Sequence, residues 1–182
     1  HGTVRELLRG SRKDLKRLNR WVIKHPKAAR ARGRGLIETV RGANALIRRR
    51  KPEQAIRWFQ KALDTDPDPL LAAYCTNALG EAQVAAGSDE DAARTFQGLA
   101  DSRETGPFAA VAAFSAARAL QRLRRTDEAS RILGRFSGIF LASGLANRAR
   151  WERALVHLMQ GGRPAALADV EAALGRLDVG NG

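Results

Sequence analysis

Along most of the chain apolar side chains recur three and four residues apart, the spacing of one helix face. Ala55, Phe59, Ala62 and Leu63 form one such stripe, and Leu155, Leu158 and Met159 another. The breaks between stripes carry helix punctuation. Pro52 and Glu53 suit a first turn, where a missing N–H costs nothing and a negative charge meets the helix dipole. Ser88 and Thr126 read as N-caps, with Asp89-Glu90-Asp91 and Asp127-Glu128 behind them. Gly106-Pro107 and Gly162-Arg163-Pro164 mark two more starts, and Gly87 and Gly161 two stops. No segment shows the strict alternation of a strand, so the pattern predicts an all-α fold.

The stripes also repeat. Ala55, Ala92, Ala129 and Ala166 stand 37 residues apart. Each is followed four residues later by a larger apolar side chain: Phe59, Phe96, Leu133 and Val170. Three further on come Ala62, Leu99, Phe136 and Ala173. The preceding helix of each pair carries a small residue at the same period: Ala43, Gly80, Ala117 and Ala154. A small residue lets two backbones approach, and the larger one fills the groove beside it. Four copies without a gap predict stacked helix pairs, each leaning on the next, with Phe59, Phe96, Leu133 and Val170 buried between helices.

Lys51 to Pro67, with Ala55, Phe59, Ala62 and the closing Pro67, resembles the second helix of a tetratricopeptide repeat. Leu79-Gly80 resembles the Leu-Gly pair of that family's first helix. Asp91-Ala92 with Phe96, and Glu128-Ala129 with Leu133, resemble later second helices. The resemblance implies a right-handed α-solenoid of about four antiparallel helix pairs behind a basic N-terminal helical cap. It divides the chain into a basic segment at 1–35, an array at 36–176 and a polar tail at 177–182. The repeats would span about 36–69, 73–106, 110–143 and 147–176. The period exceeds the family's usual ~34, and Leu46, Gln83, Leu120 and His157 stand where an aromatic is common.

The resemblance further implies a non-catalytic scaffold that binds a peptide or partner protein in the concave groove lined by first helices. Carried over by position, the groove residues are Asn44 and Arg48, Asn77 and Glu81, Arg118 and Arg122, and Arg148 and Glu152. Asn44 resembles the asparagine that holds a ligand backbone. Val40 replaces the lysine of a carboxylate clamp, which argues against a chaperone-tail ligand. Solvent exposure alone is the alternative for each.

Charge changes this picture at one end. The 182 residues carry a net +13. Residues 1–57 hold 18 Lys/Arg against four acids, Glu6, Asp14, Glu38 and Glu53, while the rest is nearly neutral. Val4, Leu7, Leu8, Leu15, Leu18, Trp21 and Val22 mark an apolar stripe through this segment, and cations crowd its other faces. The expected anionic-partner patch is Arg12, Lys13, Lys16, Arg17, Arg20, Arg30, Arg32 and Arg34. Such a segment can cap the array, bind nucleic acid, lie on an anionic membrane or meet an acidic protein. Trp21-Val22-Ile23 is too short an apolar run for a signal or a span. The expected location is the cytoplasm, as the soluble part of a larger or membrane-anchored protein.

Little else suggests chemistry. Cys75 is the single cysteine and has no assignable base. His25 and His157 lack companions at metal-ligand spacing. His157 lies on the apolar periodicity, as a core or half-buried histidine would. Gly33-Arg34-Gly35 follows no strand and makes no dinucleotide site. No catalytic residue, cofactor or metal is expected.

Overall fold

A computed structural model of the chain describes residues 12–102, 107–139 and 144–174. Among them lie ten α-helices and no strand. Helices α1 (Arg12–Lys24) and α2 (Pro26–Arg32) precede four consecutive pairs. The pairs are α3 (Leu36–Ala43) with α4 (Pro52–Leu63), α5 (Pro69–Ala85) with α6 (Asp89–Asp101), α7 (Pro107–Arg122) with α8 (Thr126–Ile139), and α9 (Gly144–Met159) with α10 (Arg163–Leu174). Each helix packs on the next in sequence, which makes the array an α-solenoid.

The period is written in the turns as well as the helices. Arg50, Gly87, Arg124 and Gly161, each 37 residues apart, all adopt positive φ, between 52° and 78°. Each closes the first helix of its pair. In the last three turns the following amide donates five residues back: Ser88 to Gln83, Arg125 to Leu120, and Gly162 to His157, at 2.8 Å. This is the Schellman arrangement, which satisfies carbonyls left open at a helix end. Glycine enters the left-handed region freely, whereas Arg50 and Arg124 carry a Cβ there at a cost.

The first pair differs by one residue. Its first helix widens into a π turn over Asn44–Arg48, with the Arg49 amide bonding to the Asn44 carbonyl. The turn bond that follows, Lys51 to Ala45, therefore reaches back six residues instead of five. The insertion shifts the partner of the aromatic plug. Gly80 faces Phe96 as expected, and a Cβ there would meet the ring at 2.6 Å. In the first pair the residue against Phe59 is Gly42, where a Cβ would meet the ring at 2.7 Å. The sequence register had pointed to Ala43.

The core follows the predicted stripes. Phe59, Phe96 and Leu133 are buried, as are all four alanines of the Ala55 series. Val170 departs from expectation and is half-buried, because no described helix stacks beyond α10. Two apolar clusters result. One runs from Leu15 and Val22 of α1 to Leu79 and Ala82 of α5, and the other from Ala73 of α5 to Val156 of α9. Helix α5 contributes to both, so the clusters are continuous through it. Leu15 and Val22 of the N-terminal stripe pack inward on the first pair, and Val4, Leu7 and Leu8 lie outside the described residues.

Thr126 is the first residue of α8. Ser88 precedes α6, but its side chain makes no capping bond. Asp68 does cap: its carboxylate accepts from the Leu71 amide at 3.1 Å.

Candidate partner-binding face

The first helices α5, α7 and α9 end at residues 85, 122 and 159, in the same register. Their small residues Gly80, Ala117 and Ala154 are buried, and Gly80 lies against a ring of its second helix. The residues one position after and three before are four apart and share the face beside that contact. They form two rows across the array: Asn77, Phe114 and Trp151, then Glu81, Arg118 and Leu155. Glu81, Arg118, Trp151 and Leu155 are exposed.

Most of the sequence-predicted residues are engaged with one another. Asn44 is only 4% exposed, because the π turn rotates it inward, and its Oδ1 accepts from Arg48 at 2.8 Å. Asn77 donates to Glu81 at 3.1 Å. Arg118 meets Glu152 of the next first helix at 3.3 Å. Arg122 turns to Asp89 of α6, at 2.7 Å. Arg148 lies on α9, and its side chain falls outside the described residues.

Helical spacing alone does not identify the covered face, and this matters most on α9. Trp151, Leu155 and Met159 are 44%, 55% and 66% exposed, and Leu158 is exposed beside them. The spacing of Leu155, Leu158 and Met159 predicts a helix stripe, and this stripe faces out. Two successive translations by 37 residues, from Asn77 and Glu81 through Phe114 and Arg118, are the signal that leads to Trp151 and Leu155. The rows thus change from polar Asn77 and Glu81 on α5, through Phe114 and Arg118 on α7, to apolar Trp151 and Leu155 on α9.

Acid–base pairs tie neighbouring repeats together. Arg125 reaches Glu90 at 2.8 Å and Glu128 at 2.6 Å. The bonds from Arg125 hold the Glu128 carboxyl below its usual range. Arg135 pairs with Asp101. In the last pair Arg153 grips the buried Asp169 through Nε at 2.8 and 2.9 Å. Half-buried His157 places Nδ1 3.1 Å from the same carboxylate and Nε2 2.9 Å from Ser130. This explains a histidine on the apolar period as a bridge between repeats. Burial pushes the Cys75 thiol up to about 11, against a 3.0 Å hydrogen bond with Thr39 that acts the other way. Glu81 is exposed as a residue, yet its carboxyl is raised by desolvation, offset in part by Asn77.

The N-terminal cations are less engaged. Lys13, Lys16, Arg17, Arg20, Arg30, Arg32 and Arg34 are exposed. Arg34 pairs with Asp66 at 3.3 Å, and Arg32 lies 4.6 Å from the centre of the Trp21 ring. The Arg12 side chain lies outside the described residues. Between α1, α2 and the π turn opens a cleft of about 610 Å³, with Leu18, Trp21, Ala43 and Ile47 among its walls. The sequence reading had no means to see this cleft, since it depends on how α1 crosses the π turn. Among the described residues no cluster of metal-ligating side chains forms, and no helix is long and apolar enough to cross a membrane.

Residues 43–73 match a tetratricopeptide repeat family. No curated protein matches the chain. The chain is similar to the crystal structure of MamA, with 16% identity over 97% of this chain and 94% of that one, and a TM-score of 0.67. It is also similar to a Podosopora anserina putative kinesin light chain structure with nearly identical TPR-like repeats. There the identity is 15% over 98% of this chain and 93% of that one, and the TM-score is 0.69. The chain thus has a tetratricopeptide-like repeat fold.

Proposed function

We propose that the chain is a non-catalytic scaffold that binds a peptide or partner protein in the concave groove lined by the first helices. The observation that carries this reading is the row on α9. Trp151, Leu155, Leu158 and Met159 stand exposed at positions where a solenoid presents a continuous surface. An exposed apolar patch beside charged residues is the usual mark of an interaction site. Asn77, Glu81, Arg118 and Glu152 supply the polar part of the same surface. Residues 36–176 form the binding array in this reading, with the chain in the cytoplasm.

Selection of a displayed peptide library against the full chain tests it. Selected peptides should lose about tenfold or more in affinity to Leu155→Glu, equivalent to about 1.4 kcal/mol. They should be indifferent to Arg131→Glu on α8. Equal binding to both variants would refute the assignment of the face.

A second reading is favoured by a separate observation. Lys13, Lys16, Arg17 and Arg20 crowd one exposed surface, and the nearby chain supplies few acids. An anionic partner would relieve their mutual repulsion. Nucleic acid, an anionic membrane and an acidic protein all meet that requirement.

A further inference from the structure

We propose that the cleft between α1, α2 and the π turn binds an acidic peptide segment carrying apolar side chains. The proposal rests on the second reading above and names its partner. The cleft is of a size that accepts a ligand's apolar groups. Leu18, Trp21, Ala43 and Ile47 give it an apolar wall. Ile47 is 41% exposed, whereas Asn44 and Ala45 at the start of the same wide turn are buried. The π turn thus presents an isoleucine to the cleft while turning a polar side chain inward. Wide turns of this kind recur at functional sites.

The rim decides the chemistry of the occupant. Arg17, Arg20 and Lys24 line it from α1, and none of them makes an ion pair with a described residue. Among the described residues Asp14 is the one acid lining it. From Arg17 to Lys24 the cations extend about 10 Å along the helix. One anionic head group cannot reach all of them, whereas carboxylates repeated along a peptide can. A nucleic acid backbone would meet the cations but leave the apolar wall unused. A membrane would need the apolar stripe of α1 for insertion, and Leu15 and Val22 of that stripe are buried in the core. A peptide that alternates carboxylates with apolar side chains uses both wall and rim.

Fluorescence anisotropy with the full chain tests the proposal. The probe is a short labelled peptide with a pair of leucines flanked by glutamates. The control has serines for the leucines, and anionic vesicles and duplex DNA form separate arms. The leucine peptide should bind more tightly than the serine control by about tenfold. Binding should fall by about tenfold in Arg17→Glu with Arg20→Glu, and again in Ile47→Asp. All three positions are exposed, and circular dichroism should confirm unchanged helix content. Leu155→Glu should leave this binding intact. Equal binding of the serine control, or of the cleft variants, would overturn the proposal. If DNA or vesicles bind and the peptide does not, the proposal falls while the anionic reading stands. If nothing binds, both fall. Self-association abolished by Ile47→Asp would place a second copy in the cleft and would also overturn it.

Discussion

Phe96 shows at single-residue scale how the array is held. Its ring is buried against Gly80, which has no Cβ to hold it off. Truncation would leave a void that the paired helices cannot collapse, because each is also packed on a neighbour. Phe96→Ala should therefore cost about 3–5 kcal/mol in urea denaturation, and a loss below about 1 kcal/mol would contradict the packing. Cys75 gives a pH-dependent counterpart. Its folded pKa, about 11, lies above the ordinary value of 9.0. The unfolded thiol therefore ionises first, and the stability Cys75 contributes is lost as pH rises from about 9 through 11. At neutral pH the native thiol should resist alkylation by iodoacetamide and react only on unfolding. Rapid native labelling would mean that it is not buried.

The helix-pair turns carry the next level of order. Three of the four use the same hydrogen bonds at the same 37-residue interval. Arg124 occupies the left-handed position that Gly87 and Gly161 hold in adjacent pairs. Arg124→Gly should raise stability by about 0.5–1 kcal/mol by relieving the Cβ clash. A thermal melt checks this, and a lower melting temperature would show that the turn depends on the arginine side chain. These turns also show why the repeat was legible in the sequence. Gly87, Gly161 and the apolar plugs are chemical requirements of the pairing, so they recur in the letters. The π turn was not legible. Asn44 to Arg48 contain no glycine or proline to mark an extra residue, and only the shifted contacts of Gly42 and Lys51 reveal it. Burial of Asn44 follows from that insertion, so an asparagine expected to face a ligand faces inward.

Across the whole molecule, helical periodicity specifies that a stripe exists and leaves open which neighbour covers it. Leu15 and Val22 of the α1 stripe are covered by the first pair, whereas the α9 row at Trp151 and Leu155 is not. That difference comes from stacking order, which a one-dimensional pattern does not hold. It also produces the chain's two unequal surfaces: a basic cleft at the N-terminal end, and a first-helix face that becomes apolar towards α9. The central claim is that this first-helix face is where a partner binds. Amide hydrogen–deuterium exchange of the full chain, with and without a peptide selected against it, tests that claim most directly. The account predicts that slowed exchange on binding concentrates in α5, α7 and α9, with the largest effect around Trp151 to Met159. Protection confined to α6, α8 and α10 would contradict it.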